Sequence, residues 1–429
     1  MKASTIALSC FTLTAAAWPK ASSAQAPPHT AHDPPAAALI DRRVALTRGA
    51  AAGPGVATAL APRASAAQAE EMAGPFLRAP ALTVFAGYRA RAPVVGPELS
   101  VNLTQDVALR GLGDARRQAA AQLREAVHAD VQQARLGAAL RGVLAWASAL
   151  EAKDVLRLRT LALAQAEAVA ASTKARVASG VGQPRELALA SGEVGTAHAL
   201  VLEAEGTLFE RLVDLRHALG MAESDAVDVS GDLYASDDRA VDAKSALASV
   251  SEHPAMRTAR ARTELVAREG LLTRAQHGPT AMVGGSYARE ATGEQIVGAI
   301  VGFPLAIVDP SRFEQARLRA SEDGLRAHEA RTLAELRRDV NLALHDREHW
   351  REVKEALRSR AIEPLREALR LAKKEYEVGT QDVAMVLLAR QKVVGAEEQM
   401  ARAAGAVVRS DAQLAYLTGA LAAEIGRSP

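Results

Sequence analysis

The chain has 429 residues, with 52 lysines and arginines against 50 aspartates and glutamates, and aromatic residues make up only 3%. That length allows two or more domains. The formal charge of +2, spread in both signs along the chain, leaves no basic patch for nucleic acid and no acidic tail. Alanine, leucine, arginine and glutamate are abundant, and they are the residues that lose least freedom on a helix. So much alanine beside so few large side chains predicts long, closely packed helices rather than a thick globular core.

Met1–Ala26 reads as a secretory signal peptide: Lys2 supplies the positive start, Ile6 to Ala17 the apolar run, and Ala24-Gln25-Ala26 a small-x-small cleavage site. A cytoplasmic N-terminal helix is the competing reading, and Trp18-Pro19 speaks against it by ending the apolar run where a signal peptide ends. The only cysteine, Cys10, lies inside this segment. The processed chain would then hold no thiol, which excludes disulfides, cysteine–zinc sites and cysteine nucleophiles. Lipidation at Cys10 is the alternative, with a very short apolar run before it. No later segment has the run of roughly 18 apolar residues that a spanning helix needs.

The remainder carries an internal duplication. Ser179-Gly180-Val181 opens a stretch ending at Leu219-Gly220, and Val378-Gly379-Thr380 opens one ending at Thr418-Gly419, with no gap between the two alignments. Gly180, Leu189, Ala190, Ala204 and Leu215 fall on Gly379, Leu388, Ala389, Ala403 and Leu414, and at the same offset Pro80 falls on Pro279. The first repeat is expected over 27–220, a polar linker over 221–242, the second repeat over 243–419 and a tail over 420–429.

Each repeat has one order of elements. A short helix comes first, around Ala38–Thr47 and Val241–Val250, stopped by Gly53-Pro54 and by His253-Pro254. A second helix follows, about Val56–Leu77 and Ala255–Gln276. Strand pairs are expected at about 80–89 and 97–105, then at 280–289 and 295–305. Leu99-Ser100-Val101-Asn102-Leu103-Thr104 alternates strictly between apolar and polar. Strands of about 9–11 residues have the length that crosses a bilayer when tilted. Two hairpins cannot span alone, because open edges leave backbone groups unpaired in hydrocarbon. The pattern therefore admits two readings: several chains closing one barrel, or two small hairpins on a soluble helical protein. Tyr88, Phe85, Tyr287 and Phe303 are the few aromatic residues available for a membrane-interface girdle.

Long helices complete each repeat, about 114–178 with a return over 184–219, and about 311–378 with a return over 382–417. A 65-residue helix is roughly 100 Å long, which suits a coiled coil or tube. Pro364 should kink the second one.

These residues resemble the TolC family of outer-membrane efflux proteins. Tyr376-Glu377-Val378-Gly379-Thr380 followed by Leu387-Leu388-Ala389 is similar to its helix-tip motif. Leu103-Thr104-Gln105 with Gly111, Gly113 and Arg116 resembles its strand-to-helix crossover, and Ile362-Glu363-Pro364 a helix break common in its heavy-metal branch. The resemblance implies a mainly α fold with a small β part: two tandem repeats of long α-helical hairpin plus β-hairpin. They would assemble as a trimeric 12-strand β-barrel continued by an α-helical barrel. It implies a passive exit duct in the outer membrane, extending into the periplasm, with a periplasmic adaptor and an inner-membrane pump as partners. It implies no cofactor and no enzymatic activity, since the pump supplies the energy.

By position, the resemblance carries adaptor docking onto the tips Ser179, Gly180, Val181 and Val378, Gly379, Thr380; an ordinary helix–helix turn needs the same glycines. Arg185, Glu186 and Asp382, just beyond the tips, are candidates to line the periplasmic aperture, and a solvated helix face accounts for them equally. The sequence departs from the family where Met385 stands at a position often acidic and where the first tip reads Ser179-Gly180-Val181-Gly182-Gln183-Pro184. His345 and His349 have metal-ligand spacing on a helix but lack the metalloprotease order, so a polar helix face is the simpler reading. His29 and His32 sit in a Pro-rich start. The rival function is a periplasmic coiled-coil adaptor or structural protein, which would not duplicate its hairpin.

Overall fold

The computed structural model describes residues 37–73, 79–109, 111–235, 241–303 and 311–427, without the Arg91 side chain. The expected signal peptide, Cys10, His29 and His32 lie outside the described residues. So do the expected helix end at Leu77, the last two positions of strand 295–305, and the Ser236-Asp237-Asp238 run.

The first half begins with strand β1 (Ala38–Ile40) and helix α1 (Arg42–Ala52), whose N-cap Asp41 accepts the Val44 N–H at 2.7 Å. The helix expected from Ala38 is corrected in its first residues. They pair in parallel with β4 (Val227–Val229), a strand inside the segment expected to be a plain linker. Helices α2 (Val56–Leu60) and α3 (Arg63–Glu71) replace one expected helix, with Pro62 separating them because it offers no N–H to continue the ladder. Strands β2 (Ala81–Arg91) and β3 (Val94–Ala108) lead into α4 (Leu112–Ala178), 67 residues without a break and roughly 100 Å long. Helix α5 (Pro184–Ala218) returns along it.

The second half repeats the order. It has α6 (Ala243–Ser249), α7 (Pro254–Gln276), β5 (Thr280–Arg289), β6 (Gln295–Gly302), α8 (Arg312–Ala356), α9 (Glu363–Val378) and the return α10 (Val383–Leu417). Where Pro364 predicts a kink, a six-residue π-helical turn, Leu357–Ile362, joins α8 to α9. Proline has no N–H for the carbonyl one turn back, and widening the ladder accommodates its ring. The residues expected as a tail form α11 (Ala420–Arg427), which buries Leu421 completely and pairs Glu424 with Arg42 at 2.9 Å.

The main core lies around α4. Leu136, Val143, Trp146 and Leu150 of that helix pack with Leu46 of α1, Leu215 of α5, Ala404 of α10 and Leu421 of α11. Helix α1 crosses α4 at backbone contact distance: a Cβ on Gly142 would lie 2.6 Å from the Ala45 carbonyl oxygen. The strap after β4 ties the halves together. Trp146 donates its indole N–H to the Ser230 carbonyl at 3.1 Å, and Lys153 donates to Asp228 at 2.7 Å. Tyr234 donates to Asp154 at 2.6 Å, while Lys354 of α8 donates to the Tyr234 carbonyl at 3.0 Å. Burial and the Asp154 carboxylate push the Tyr234 phenol far above its ordinary value.

Candidate functional site

The candidate residues gather at the two ends of the long helices, the sheet at one end and the hairpin tips at the other. The sheet is antiparallel in the order β2-β3-β5-β6, so β2 and β6 are its edges. Its register sorts most side chains by polarity, with Ile296 and Ile300 of β6 as exceptions on the otherwise polar side. Leu82 faces Leu103, Val84 faces Val101, Ala86 faces Leu99, Tyr287 faces both Val101 and Val297, and Val283 faces Val301, all on one surface. The opposite surface carries Thr83 against Asn102, Phe85 against Ser100 and Asn102 against Ser286, with Arg89 ion-paired to Glu98 at 2.5 Å. The apolar surface is uncovered, with Leu82 64% and Val297 81% exposed. Tyr88 and Tyr287 lie on it, but Phe85, expected with them in a girdle, points to the polar side because its position has the other parity. No helix among the described residues is long and apolar enough to cross a membrane.

The tips are built by glycines in the left-handed region. Gly180 (φ 77°) and Gly379 (φ 86°) close α4 and α9, which only glycine does without a Cβ penalty. The Val181 N–H reaches the Arg176 carbonyl at 3.0 Å, and the Thr380 N–H reaches that of Glu375 at 2.9 Å. Ser179 and Thr380 also turn their hydroxyls back onto those two carbonyls. Val181 and Val378 are left about 70% exposed, so each tip ends in one unshielded apolar side chain.

Of the aperture candidates, Glu186 closes a capping box with the Gln183 backbone N–H at 3.0 Å. Asp382 caps α10 through the Ala384 N–H at 3.2 Å and meets the Arg185 guanidinium at 3.3 Å. The two tips are therefore joined within one chain. Further contacts strengthen the joint. The Thr173 and Tyr376 hydroxyls share a buried hydrogen bond at 2.9 Å, and the Arg176 guanidinium lies 4.8 Å from the Tyr376 ring centre. One helical turn inward from Leu387, the buried Arg390 donates to the Ala162 carbonyl at 2.7 Å and pairs with Glu193. Arg390 was not singled out by sequence reasoning, because with Gln391 and Lys392 it reads as part of a polar helix face. His345 and His349 stand on exposed positions of α8 with ring centres 6.0 Å apart. Among the described residues, no group of three histidines, cysteines or carboxylates is placed to hold a metal.

This fold, paired long helical hairpins carrying a small sheet, is shared with solved outer-membrane channels. CusC, solved in a study of transmembrane channel formation, superposes with a TM-score of 0.73 at 13% identity, covering 89% of this chain and 92% of CusC. The CmeC outer membrane channel of Campylobacter jejuni gives 0.74 at 15% identity over 88% of this chain and 85% of CmeC. A membrane protein from Pseudomonas aeruginosa gives 0.74 at 20% identity, covering 88% and 90%. No protein-family model and no curated protein sequence matches the chain.

Proposed function

We propose that the chain is one subunit of an outer-membrane duct, the passive exit of a tripartite efflux system or a type I secretion system. One observation carries the reading: a four-stranded sheet, with both edges unpaired among the described residues and one largely apolar exposed face, stands at the end of helices roughly 100 Å long. Exposed backbone edges cannot sit in hydrocarbon. Three copies joined edge to edge would close twelve strands, turn the apolar face to lipid and the Asn102–Ser286 face to water. The long hairpins would then continue the tube into the periplasm.

In this assembly, the homotrimer takes substrate from an inner-membrane pump through a periplasmic adaptor that docks on Ser179, Gly180, Val181, Val378, Gly379 and Thr380. Exposed Val181 and Val378 supply the apolar contact, and the glycines permit close backbone approach. Arg185 and Asp382 line the closed periplasmic end, where their ion pair ties the two hairpins of one subunit. The subunit acts by lining, sealing and docking, and needs neither a cofactor nor a catalytic residue.

Fractionation of cells expressing the full chain, with sizing of the detergent-extracted protein, tests this. A trimer in the outer membrane supports the duct, and adaptor cross-linking through cysteines at Gly180 and Gly379 then maps the docking. A soluble periplasmic monomer sinks it and favours a coiled-coil adaptor.

A further inference from the structure

The duct leaves one motif unused, the histidine pair on α8. Ala343 and Arg347 turn into the core, the latter onto Asp411 of α10, so His345 and His349 occupy the opposite side of the helix. Both are exposed, one turn apart, with ring planes inclined by only 14° and centres 6.0 Å apart. Side chains four apart on a helix are neighbours, and exposed rings turn between rotamers at little cost. Among the described residues no hydrogen bond or ion pair engages either ring, and neither belongs to a group of three metal-binding side chains. Asp346, Glu348 and Glu352 along the same stretch are balanced by Arg347, Arg351 and Lys354, so charge alone does not favour a cation there.

We propose that His345 and His349 form a two-imidazole chelate for a borderline divalent transition ion, with water completing the coordination. Imidazole suits copper, nickel and zinc, and Cu²⁺ binds such a nitrogen pair most tightly of the three. Two ligands on one rigid helix act together, because once the first nitrogen binds, the second is held at high effective concentration. The site is open rather than a closed structural centre, since four protein ligands are what closure demands. It is separate from the tips and from the sheet, and it stands or falls independently of the duct reading.

The neighbouring residue supplies the readout. Trp350 lies with its ring centre 5.3 Å from that of His349, close enough for bound Cu²⁺ to quench its fluorescence. The experiment is a CuCl₂ titration of the purified full chain in detergent, following tryptophan fluorescence, with electron paramagnetic resonance to count nitrogen ligands. The parent should quench saturably at one ion per chain with two nitrogens bound. His345→Ala and His349→Ala should each raise the half-saturating concentration about 100-fold. His328→Ala, an exposed histidine of the same helix without a partner one turn away, should leave it unchanged. Equal titrations in parent and both variants, a loss shared by His328→Ala, or no saturable quenching would each mean adventitious binding only and overturn the proposal. All three substitutions lie on an exposed helix face, so circular dichroism of each variant should match the parent.

Discussion

The two halves carry the same order of elements, yet their long helices are stabilised differently. Helix α4 is unbroken and buries side chains along nearly its whole length, from Leu112 to Thr173, against α1, α5, α7 and α10. Helix α8 buries only Leu318, Leu336, Val340, Ala343 and Arg347. It packs on α7 and α10 and carries exposed pairs along its own surface, Glu314 with Arg317, Glu322 with Arg326 and Arg331 with Glu335, which add little. A helix held by packing on several sides tolerates no change of register. One with few buried side chains accepts a π turn before Pro364, since little packing is displaced. The two halves thus hold one deeply packed spine and one less buried arm.

The sharpest way to break that contrast is at the joint between the halves. Arg390 of α10 is only 2% exposed and reaches both α4 and α5 through Ala162 and Glu193. Arg390→Ala should destabilise the chain by about 4 kcal/mol, because it strands a mostly buried carboxylate. Chemical denaturation followed by helical circular dichroism measures this. Arg390→Met combined with Glu193→Leu should recover much of the loss, since apolar replacement removes the unpaired charge with its partner. Failure to recover would place the value of the site in the hydrogen bond to Ala162.

Next comes the spine against the arm. Leu136→Ala removes a side chain 2% exposed in the main core and should cost about 3 kcal/mol. Leu342→Ala on α8, 52% exposed, should change stability by about 0.5 kcal/mol or less in the isolated chain. A larger effect at Leu342 in the detergent-extracted protein than in the denatured-and-refolded monomer would mean that another copy covers it.

His253 adds a pH test at the start of the arm's packing. It caps α7 through Nδ1, which accepts the Ala255 N–H at 3.2 Å, and its ring stands edge-on to Tyr416 with centres 4.9 Å apart. Burial holds its pKa down at about 4, so the folded chain resists protonating it while the unfolded chain does so near 6.5. The contribution is therefore complete above pH 6.5 and is lost as pH falls toward 4, by about 3 kcal/mol in all. His253→Asn keeps a cap without the titration and should flatten that part of the stability–pH curve. An unchanged slope would assign the acid loss to other groups.

The long helices and strand pairs were legible because their signals are local. Gly180 and Gly379 punctuate the tips, and Leu99 to Thr104 alternates with the period of a strand. Ala38–Ile40 was not, because three apolar residues before a helix look like its first turn until Val227–Val229, nearly two hundred positions away, offers a parallel edge. The π turn was legible only as a break at Pro364, since proline predicts disruption but not the form relief takes. The tips were visible as turns. That Arg185 meets Asp382 and Thr173 meets Tyr376 was hidden, because pairing between hairpins depends on how two helices cross and not on spacing along either.

The smallest expected effect separates two roles at those tips. Asp382 both caps α10 and meets Arg185, whereas Arg185, 68% exposed, has only the pairing. Asp382→Ala should cost about 1 kcal/mol, most of it from the lost cap. Arg185→Ala should cost about 0.5 kcal/mol or less, since exposed pairs are weak and screened. Asp382→Asn preserves the cap and removes the charge, so it should behave like Arg185→Ala and, like it, lose its effect in high salt. If Arg185→Ala and Asp382→Asn both match Asp382→Ala in cost, the ion pair carries the joint between hairpins. If both are silent in stability yet raise conductance of the reconstituted protein, the pair restrains the proposed aperture rather than the fold, as a contact weak enough to be opened would do.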